Sequence, residues 1–133
     1  MEKTFRQLKD KSWPDRWTAV YALQKFGIPA IDYLHKALDD DDKWVRYAAV
    51  DALGDMRDKR SVDYLTKLLL DEDQDVRFAS AWALGEIGDQ KASHALMQTV
   101  NSDNGFVKIA AEEALAKLET TGKQSPGTAQ TQM

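Results

Sequence analysis

The chain has 133 residues, of which 43% are hydrophobic and 30% charged, and a formal net charge of −4 at pH 7. This size and composition predict one soluble domain or one short repeat array, and the negative charge disfavours sequence-independent binding to nucleic acid or to an anionic membrane. The absence of cysteine excludes disulfides, thiol nucleophiles and thiolate metal ligands.

The N-terminal part of the chain predicts a capping segment followed by a first pair of helices. Residues 1–11 have a small apolar side and many charges, which suits the polar end of a helical array. Ser12 is a predicted N-cap, a helix follows over residues 14–26, and Pro29 opens the next helix. Because neither a signal-peptide core nor an apolar run of membrane-spanning length occurs, we expect a cytoplasmic protein without a membrane partner.

The rest of the chain alternates helix-period segments with charged turns. Five more helices are predicted, over residues 43–53, 61–69, 75–87, 92–100 and 105–119. Ser61 is a predicted N-cap, and Gly54, Gly85 and Gly88 are interpreted as helix ends. Residues 121–133 are polar and nearly free of core-forming side chains, which predicts a disordered tail.

The helices repeat with a fixed period. The stretch WVRYAAVDALGDM begins at residue 44, returns at residue 75 as DVRFASAWALGEI, and returns again at residue 106 as FVKIAAEEALAKL. A period of about 30 residues is typical of solenoid proteins. The aligned apolar positions, which form the predicted core face, are Val45, Val76, Val107, Leu53, Leu84, Leu115, Ala48, Ala79 and Ala110. The aligned predicted N-caps are Asp42, Asp73 and Asn104.

This register predicts an all-α protein, a short right-handed α-solenoid of about three helix pairs plus a terminal helix. The repeat domain covers residues 12–120, and the repeats lie at about 12–38, 39–69, 70–100 and, as a partial copy, 101–120. We call the first helix of each repeat the A helix and the second the B helix.

The segments DDDDKWVRYAAVDALGDM and DEDQDVRFASAWALGEIGD resemble the HEAT-like repeats of the phycobilisome-lyase type. The resemblance covers roughly residues 12–118 and implies a right-handed solenoid with the A helices on one side and the B helices on the other. This group includes bilin-chromophore lyase subunits, deoxyhypusine hydroxylases and interaction proteins. The resemblance therefore leaves the function open, because a fold does not determine an activity.

A metal-dependent hydroxylase of this group would present His-Glu pairs on successive repeats. His35 is followed by Lys36 and His94 by Ala95, so the donors of such a site are missing and no metal or other cofactor is expected. We interpret both histidines as solvated surface residues. A subunit of a bilin-chromophore lyase or of another enzyme complex remains the alternative function.

The outward positions of the B helices are the first candidate surface for a partner. Two Asp-Tyr…Lys sets, one repeat apart, can hydrogen-bond to a peptide and pack against it, and we expect the B helices to line the concave side. The candidate residues are Asp32, Tyr33, Lys36, Asp63, Tyr64, Lys67, His94, Met97 and Gln98. An ordinary solvated helix face is the other interpretation of these residues.

The A helices offer the alternative surface. Aromatic residues recur directly after the basic residue of the first three repeats, where the last repeat has Ile109, and at two further aligned positions. They are Trp17, Trp44, Tyr47, Phe78, Trp82 and Phe106. These side chains either pack between adjacent A helices or form an apolar patch for a partner.

One basic residue per repeat occupies a fixed position: Arg16, Arg46, Arg77 and Lys108. The structural interpretation is that each one bonds carboxylates or carbonyls of the turns between adjacent repeats, and the alternative is a site for an anion or acidic peptide. The planar guanidinium favours the structural interpretation, and a lysine in the last repeat predicts a weaker junction there.

These observations predict a non-catalytic HEAT-like scaffold or adaptor that binds a protein or peptide partner. No nucleic-acid partner is expected. Self-association through the uncapped C-terminal helix stays open.

Overall fold

The structure, a computed structural model, describes residues 22, 23, 25 and 28–123, the side chains of residues 28 and 121–123 excepted. These residues form six α-helices: α1 (Ile31–Ala37), α2 (Lys43–Met56), α3 (Val62–Leu68), α4 (Gln74–Ile87), α5 (Ser93–Ser102) and α6 (Gly105–Lys123). The predictions for the capping segment 1–11 and for Ser12, Arg16 and Trp17 lie outside the described residues, as does the predicted tail from residue 124.

The helices form the two layers of a helical solenoid. The A helices α2, α4 and α6 pack side by side in that order, and each B helix (α1, α3 and α5) packs against the A helix that follows it. The described residues contain no strand, and none of their helices is both long and apolar enough to cross a membrane. The predicted all-α solenoid of helix pairs is confirmed.

The aligned small and branched residues form the core between the layers. Val45, Val76 and Val107 are fully buried, and so are Leu53 and Leu84. Burial of a leucine or valine side chain is worth about 1.5–3 kcal/mol, so this face supplies most of the energy that holds the repeats together. The small residues between them let neighbouring A helices approach closely.

Aspartates cap the helical turns at both turns of the second and third repeats. Asp42 accepts a hydrogen bond from the Trp44 amide at 2.8 Å, and Asp73 accepts from the amides of Asp75 and Val76 in the first turn of α4 at 2.9 and 3.2 Å. A short 3-10 turn precedes each B helix, and Asp58 and Asp89 cap two of these turns. These bonds satisfy amides at helix starts that have no partner inside the helix.

The prediction that Ser61 caps the second B helix was wrong. Its side chain makes no capping bond, because the chain turns earlier, at Asp58, and Ser61 is buried as the last residue of the 3-10 turn. Because Asp58 caps the chain three residues before Ser61, the helical turns begin earlier than predicted. The spacing of the hydrophobic residues, on which the prediction of this helix was based, is unchanged.

The prediction that Gly54 and Gly85 end their helices was also wrong. Both lie inside A helices, which continue to Met56 and Ile87. A Cβ atom at Gly54 would meet the Ala83 Cβ at 2.8 Å, so this glycine lets α2 and α4 pack backbone to backbone. The true helix end is the left-handed residue after each helix, which is Gly88 after α4 and Arg57, with φ of 54°, after α2.

The last helix extends beyond its predicted end at residue 118 or 119 and runs to Lys123, so residues 121–123 of the predicted tail are helical. The Leu118 carbonyl accepts a hydrogen bond from the Gln90 side chain, and the Thr120 hydroxyl bonds the Ala116 carbonyl at 3.0 Å. No helix breaker intervenes before Gly122, so the helix propagates past its last core residue.

Candidate functional site

The basic residue at each repeat junction makes contacts inside the protein. Arg46 is 8% exposed, and its Nε and Nη2 donate to the two carboxylate oxygens of Asp71 at 3.0 and 3.2 Å. Its Nη1 donates to the backbone carbonyls of Asp40 and Asp41 at 2.8 and 3.1 Å. The guanidinium therefore ties the turn of its own repeat to the turn of the next one, which is the geometry that the structural interpretation requires.

Arg77 repeats this arrangement one junction later. Its Nε donates to Asp103 at 2.7 Å, and its Nη1 donates to the Asp71 carbonyl at 2.9 Å. Lys108, at the equivalent position of the last repeat, is exposed. Both arginines donate hydrogen bonds to groups of the protein itself. Few of their N–H groups therefore stay available to bind an external anion.

The candidate residues of the B helices lie on one exposed side, and several of them already contact each other or the next repeat. Eight of the nine predicted residues are exposed, and Tyr33 is half-buried. The Lys36 ammonium lies 5.9 Å from the centre of the Tyr33 ring. Asp63 pairs with Lys91 of the next repeat at 3.1 Å. The structure thus brings the predicted residues together on one side, where two of the polar ones, Lys36 and Asp63, contact other side chains of the chain.

His35 differs from its predicted role as a solvated residue. Its ring stacks on Tyr64 with a centroid distance of 3.9 Å and an angle of 16°, and its Nε2 lies 3.0 Å from the Ser61 Oγ. Burial lowers the pKa of His35. The 3-10 turn before α3 places Ser61 and Tyr64 against α1, and the position of that turn could not be read from helix periodicity.

The aromatic residues of the A helices lie in a row that contains two edge-on pairs. Trp44 packs edge-on against Tyr47 at 6.1 Å, and Phe78 packs edge-on against Phe106 at 5.4 Å. Trp44 is 49% exposed and Phe106 is 44% exposed, whereas Trp82 is half-buried with Tyr47 and Phe78. The row therefore packs at the repeat junctions and also presents aromatic surface to solvent.

Two clefts open along this row, and they share Phe78 and Trp82. The first cleft lies between α2 and α4 and is lined by Tyr47, Asp51, Phe78, Ala79 and Trp82. The second cleft lies between α4 and α6 and is lined by Phe78, Trp82, Ala110, Glu113, Ala114 and Lys117. Each cleft combines aromatic walls with one carboxylate.

The carboxylate of the first cleft has a distinctive electrostatic environment. Burial raises the pKa of Asp51, and the nearby Asp55 raises it further. Burial also raises the pKa of Tyr47, with Asp51 and Asp75 adding to the effect. This end of the row is therefore negative and partly shielded from water, a condition in which an added cation is strongly attracted.

Asp51 and Glu113 were missed when the aromatic residues were singled out in the sequence. A signal for them existed, because positions 51, 82 and 113 are equivalent in the repeat and carry Asp, Trp and Glu. Reading the aligned aromatic positions for every residue type, rather than for aromatics alone, would have found both carboxylates.

The described part of the chain holds no group of three or more His, Cys, Asp or Glu side chains arranged to hold a metal ion. His35, one of the two histidines, contacts Tyr64 and Ser61 instead. The site that the residues build is a surface of aromatic side chains and carboxylates.

The sequence matches the family model for HEAT repeats twice, over residues 1–75 and 31–116. The chain belongs to the HEAT-repeat family, and the expected resemblance to HEAT-like repeats is confirmed. Compared by sequence with curated proteins, the chain matches none.

The solved structures similar to it include the following two. Human deoxyhypusine hydroxylase, in complex with glycerol, is 28% identical with a TM-score of 0.79, covering 92% of this chain and 44% of that one. The CpcE–CpcF complex of phycocyanin lyase from Nostoc sp. PCC7120 is 24% identical with a TM-score of 0.74, covering 92% of this chain and 54% of that one. The chain spans about half the length of these structures.

Proposed function

We propose that this protein is a HEAT-repeat scaffold or adaptor that performs no chemistry itself and binds a partner protein through the exposed side of its A helices. The observation that carries this proposal is the row of aromatic side chains along the A helices, with the two clefts that they line. Contiguous exposed apolar surface marks interaction sites, and tryptophan and tyrosine are enriched among the residues that dominate binding energy. The expected cytoplasmic location stays part of the proposal.

The A side is a better candidate than the B side, which the sequence had put first. On the B side, the Tyr64 ring stacks on His35, so one of its faces is already covered, and most of the other candidate residues are polar or charged. On the A side, Trp44 and Ile109 expose 49% and 55% of their surface and lie on different repeats, so a partner could cover a wide apolar area.

The proposal is tested by affinity capture of binding proteins from native extract with three baits. The baits are the wild-type chain, an A-side variant (Trp44→Gln with Ile109→Gln) and a B-side variant (Tyr33→Ala with Tyr64→Ala). We expect a saturable partner to be captured by the wild type and the B-side variant and to be lost from the A-side variant. Circular dichroism of each bait controls for folding.

Equal capture by the A-side variant and the wild type would contradict the proposal. If the partner is lost only from the B-side variant, the binding surface is the one that the sequence put first. Both outcomes are measured as the amount of partner protein captured per amount of bait.

A subunit of an enzyme complex is the second candidate function, and the similarity to deoxyhypusine hydroxylase favours it. It predicts that the chain binds a cofactor alone or with a partner. Metal analysis after incubation with iron(II), and absorbance after incubation with a free bilin, test this candidate. Stoichiometric bound iron, or a stable complex with the bilin, would replace the scaffold proposal.

A further inference from the structure

The cleft between α2 and α4 is lined mainly by aromatic side chains, which suits the binding of an elongated side chain. Tyr47 and Phe78 occupy the same repeat position on neighbouring A helices, and Trp82 lies one helical turn beyond Phe78. Ala79, whose side chain is a single methyl group, also lines the cleft. Aromatic rings pack well against methylene groups and attract a cation over their faces.

The chemistry at the rim of this cleft is anionic. Asp51 lines the cleft, and burial followed by Asp55 raises its pKa, which means that the charged form lacks compensation from its surroundings. Other carboxylates of the A side have cations of their own: Glu86 pairs with Lys117 at 2.8 Å, and Asp73 pairs with Lys43 at 3.1 Å.

The second cleft differs in charge from the first. It is lined by Glu113 and also by Lys117, which is already paired with Glu86. The positive charge of Lys117 offsets part of the negative charge at this cleft, so the second cleft attracts an added cation less than the first does and suits an apolar side chain better. The exposed Ile109 and Phe106 extend this apolar surface on α6.

We propose that the cleft between α2 and α4 binds an arginine or lysine side chain of a partner protein, with its methylene groups between Tyr47, Phe78 and Trp82 and its charge at Asp51. Apolar residues of the same partner segment cover the second cleft. The segment is therefore basic and amphipathic. This inference rests on the proposed function, because it specifies which kind of partner segment the A side receives.

An amphipathic helix meets the required spacing. Neighbouring A helices pack with axes about 8–10 Å apart. Residues seven positions apart on a helix are separated by about 10.5 Å along its axis. One basic residue at this spacing can therefore enter the first cleft while one leucine covers the second.

The test uses two fluorescent helical peptides that differ only in the end group of one side chain. The first carries a central arginine with leucines four and seven residues later, and the second replaces the arginine by citrulline, its neutral isostere. We expect the wild-type chain to bind the arginine peptide about tenfold more tightly than the citrulline peptide by fluorescence anisotropy.

The variant Asp51→Asn should remove this preference, so that the two peptides bind equally. It should not impair folding, because it removes a desolvated charge. The matched control is Glu112→Gln, which also removes one carboxylate from an A helix but lies at a position equivalent to the buried Val50 and Ala81, away from the clefts. The control should keep the tenfold preference.

Several outcomes would overturn the inference. They are an unchanged preference in Asp51→Asn, an equal loss in Glu112→Gln, or no binding of either peptide. If spermidine displaces the arginine peptide and binds as tightly as the peptide does, the cleft is a site for a small polyamine. That result would also overturn the inference. A captured partner that is lost with the Trp44 and Ile109 variant but kept by Asp51→Asn would refute this inference and leave the proposed function standing.

Discussion

Arg46 shows how one side chain joins two repeats. Its side chain and that of Asp71 are only 9% and 8% exposed, so the ion pair is shielded from water. Replacing Arg46 by Ala should lower the free energy of unfolding by roughly 3–5 kcal/mol, because the buried carboxylate loses its partner. Arg46→Lys should lie in between, since an ammonium cannot form the bidentate contact. Urea unfolding measures both.

The matched control for this prediction is Lys108→Ala, at the equivalent position of the last repeat. Lys108 is exposed, so its removal should change stability by no more than about 0.5 kcal/mol. Equal losses in Arg46→Ala and Lys108→Ala would show that the buried pair does not hold the junction.

Gly54 shows that a helix-disfavouring residue can be required by packing. In an isolated helix, Gly→Ala stabilises by about 1 kcal/mol. Here a new Cβ would lie 2.8 Å from both the Ala83 Cβ and the Trp82 Cζ3. We expect Gly54→Ala to destabilise the protein by about 1–3 kcal/mol through overpacking, as measured by the urea midpoint.

The double variant Gly54→Ala with Ala83→Gly is the control for this contact, because it removes the opposing methyl group. It should recover part of the loss, a coupling that independent sites would not show. A stabilised Gly54→Ala variant would mean that α2 and α4 are farther apart than the structure has them.

At the scale of elements, the B helices meet through the contact of His35 with Tyr64 and Ser61. Burial lowers the pKa of His35 from 6.5, with Arg60 acting in the same direction and Asp32 and Asp58 opposing. Below pH 6.5 the unfolded chain therefore takes up a proton that the folded protein resists. Because the unfolded state binds more protons in this range, stability falls as the pH decreases.

The measurable prediction is a loss of stability between about pH 7 and about pH 5 that is smaller in His35→Gln than in the wild type. His94→Gln, an exposed position on α5, should keep the wild-type pH dependence. Hydrogen bonds from Arg60 lower the pKa of Asp58 to about 2, so this neighbour stays charged throughout the range. Identical pH profiles for His35→Gln and the wild type would exclude His35 as the titrating group.

At the scale of the whole molecule, stability should be greatest in the middle of the array. Leu84 is fully buried because repeats lie on both sides of it, whereas the equivalent Leu115 on the last helix is half-buried. Leu84→Ala should therefore cost about 2–5 kcal/mol through cavity formation, and Leu115→Ala clearly less. Thermal and urea unfolding of both variants measure the difference, and equal losses would contradict a one-dimensional stack.

The repeat register was predictable from the sequence, and so were the core and the contacting arginines. Val45 and Leu53 are fully buried, and so are their equivalents Val76 and Leu84 in the next repeat. This follows because a fixed period places equivalent side chains in equivalent environments. The same alignment identified the aromatic residues of the A side. It did not predict whether their side chains are buried or exposed.

The features that the sequence did not reveal depend on distances between helices. Only the packing of α2 on α4 shows that Gly54 is a contact and not a helix end. Only the path of the 3-10 turn places Ser61 and Tyr64 beside His35. Only the opening between A helices joins Asp51 to the aromatic row as one cleft.

Local chemistry and periodicity by themselves determined the class of fold, the burial pattern and the caps at Asp42 and Asp73, because each depends on neighbours along one helix or on repetition of a unit. The tertiary structure decided which polar groups meet across repeats and which surface stays open, because these depend on helix separations of a few ångströms that no spacing in the sequence encodes.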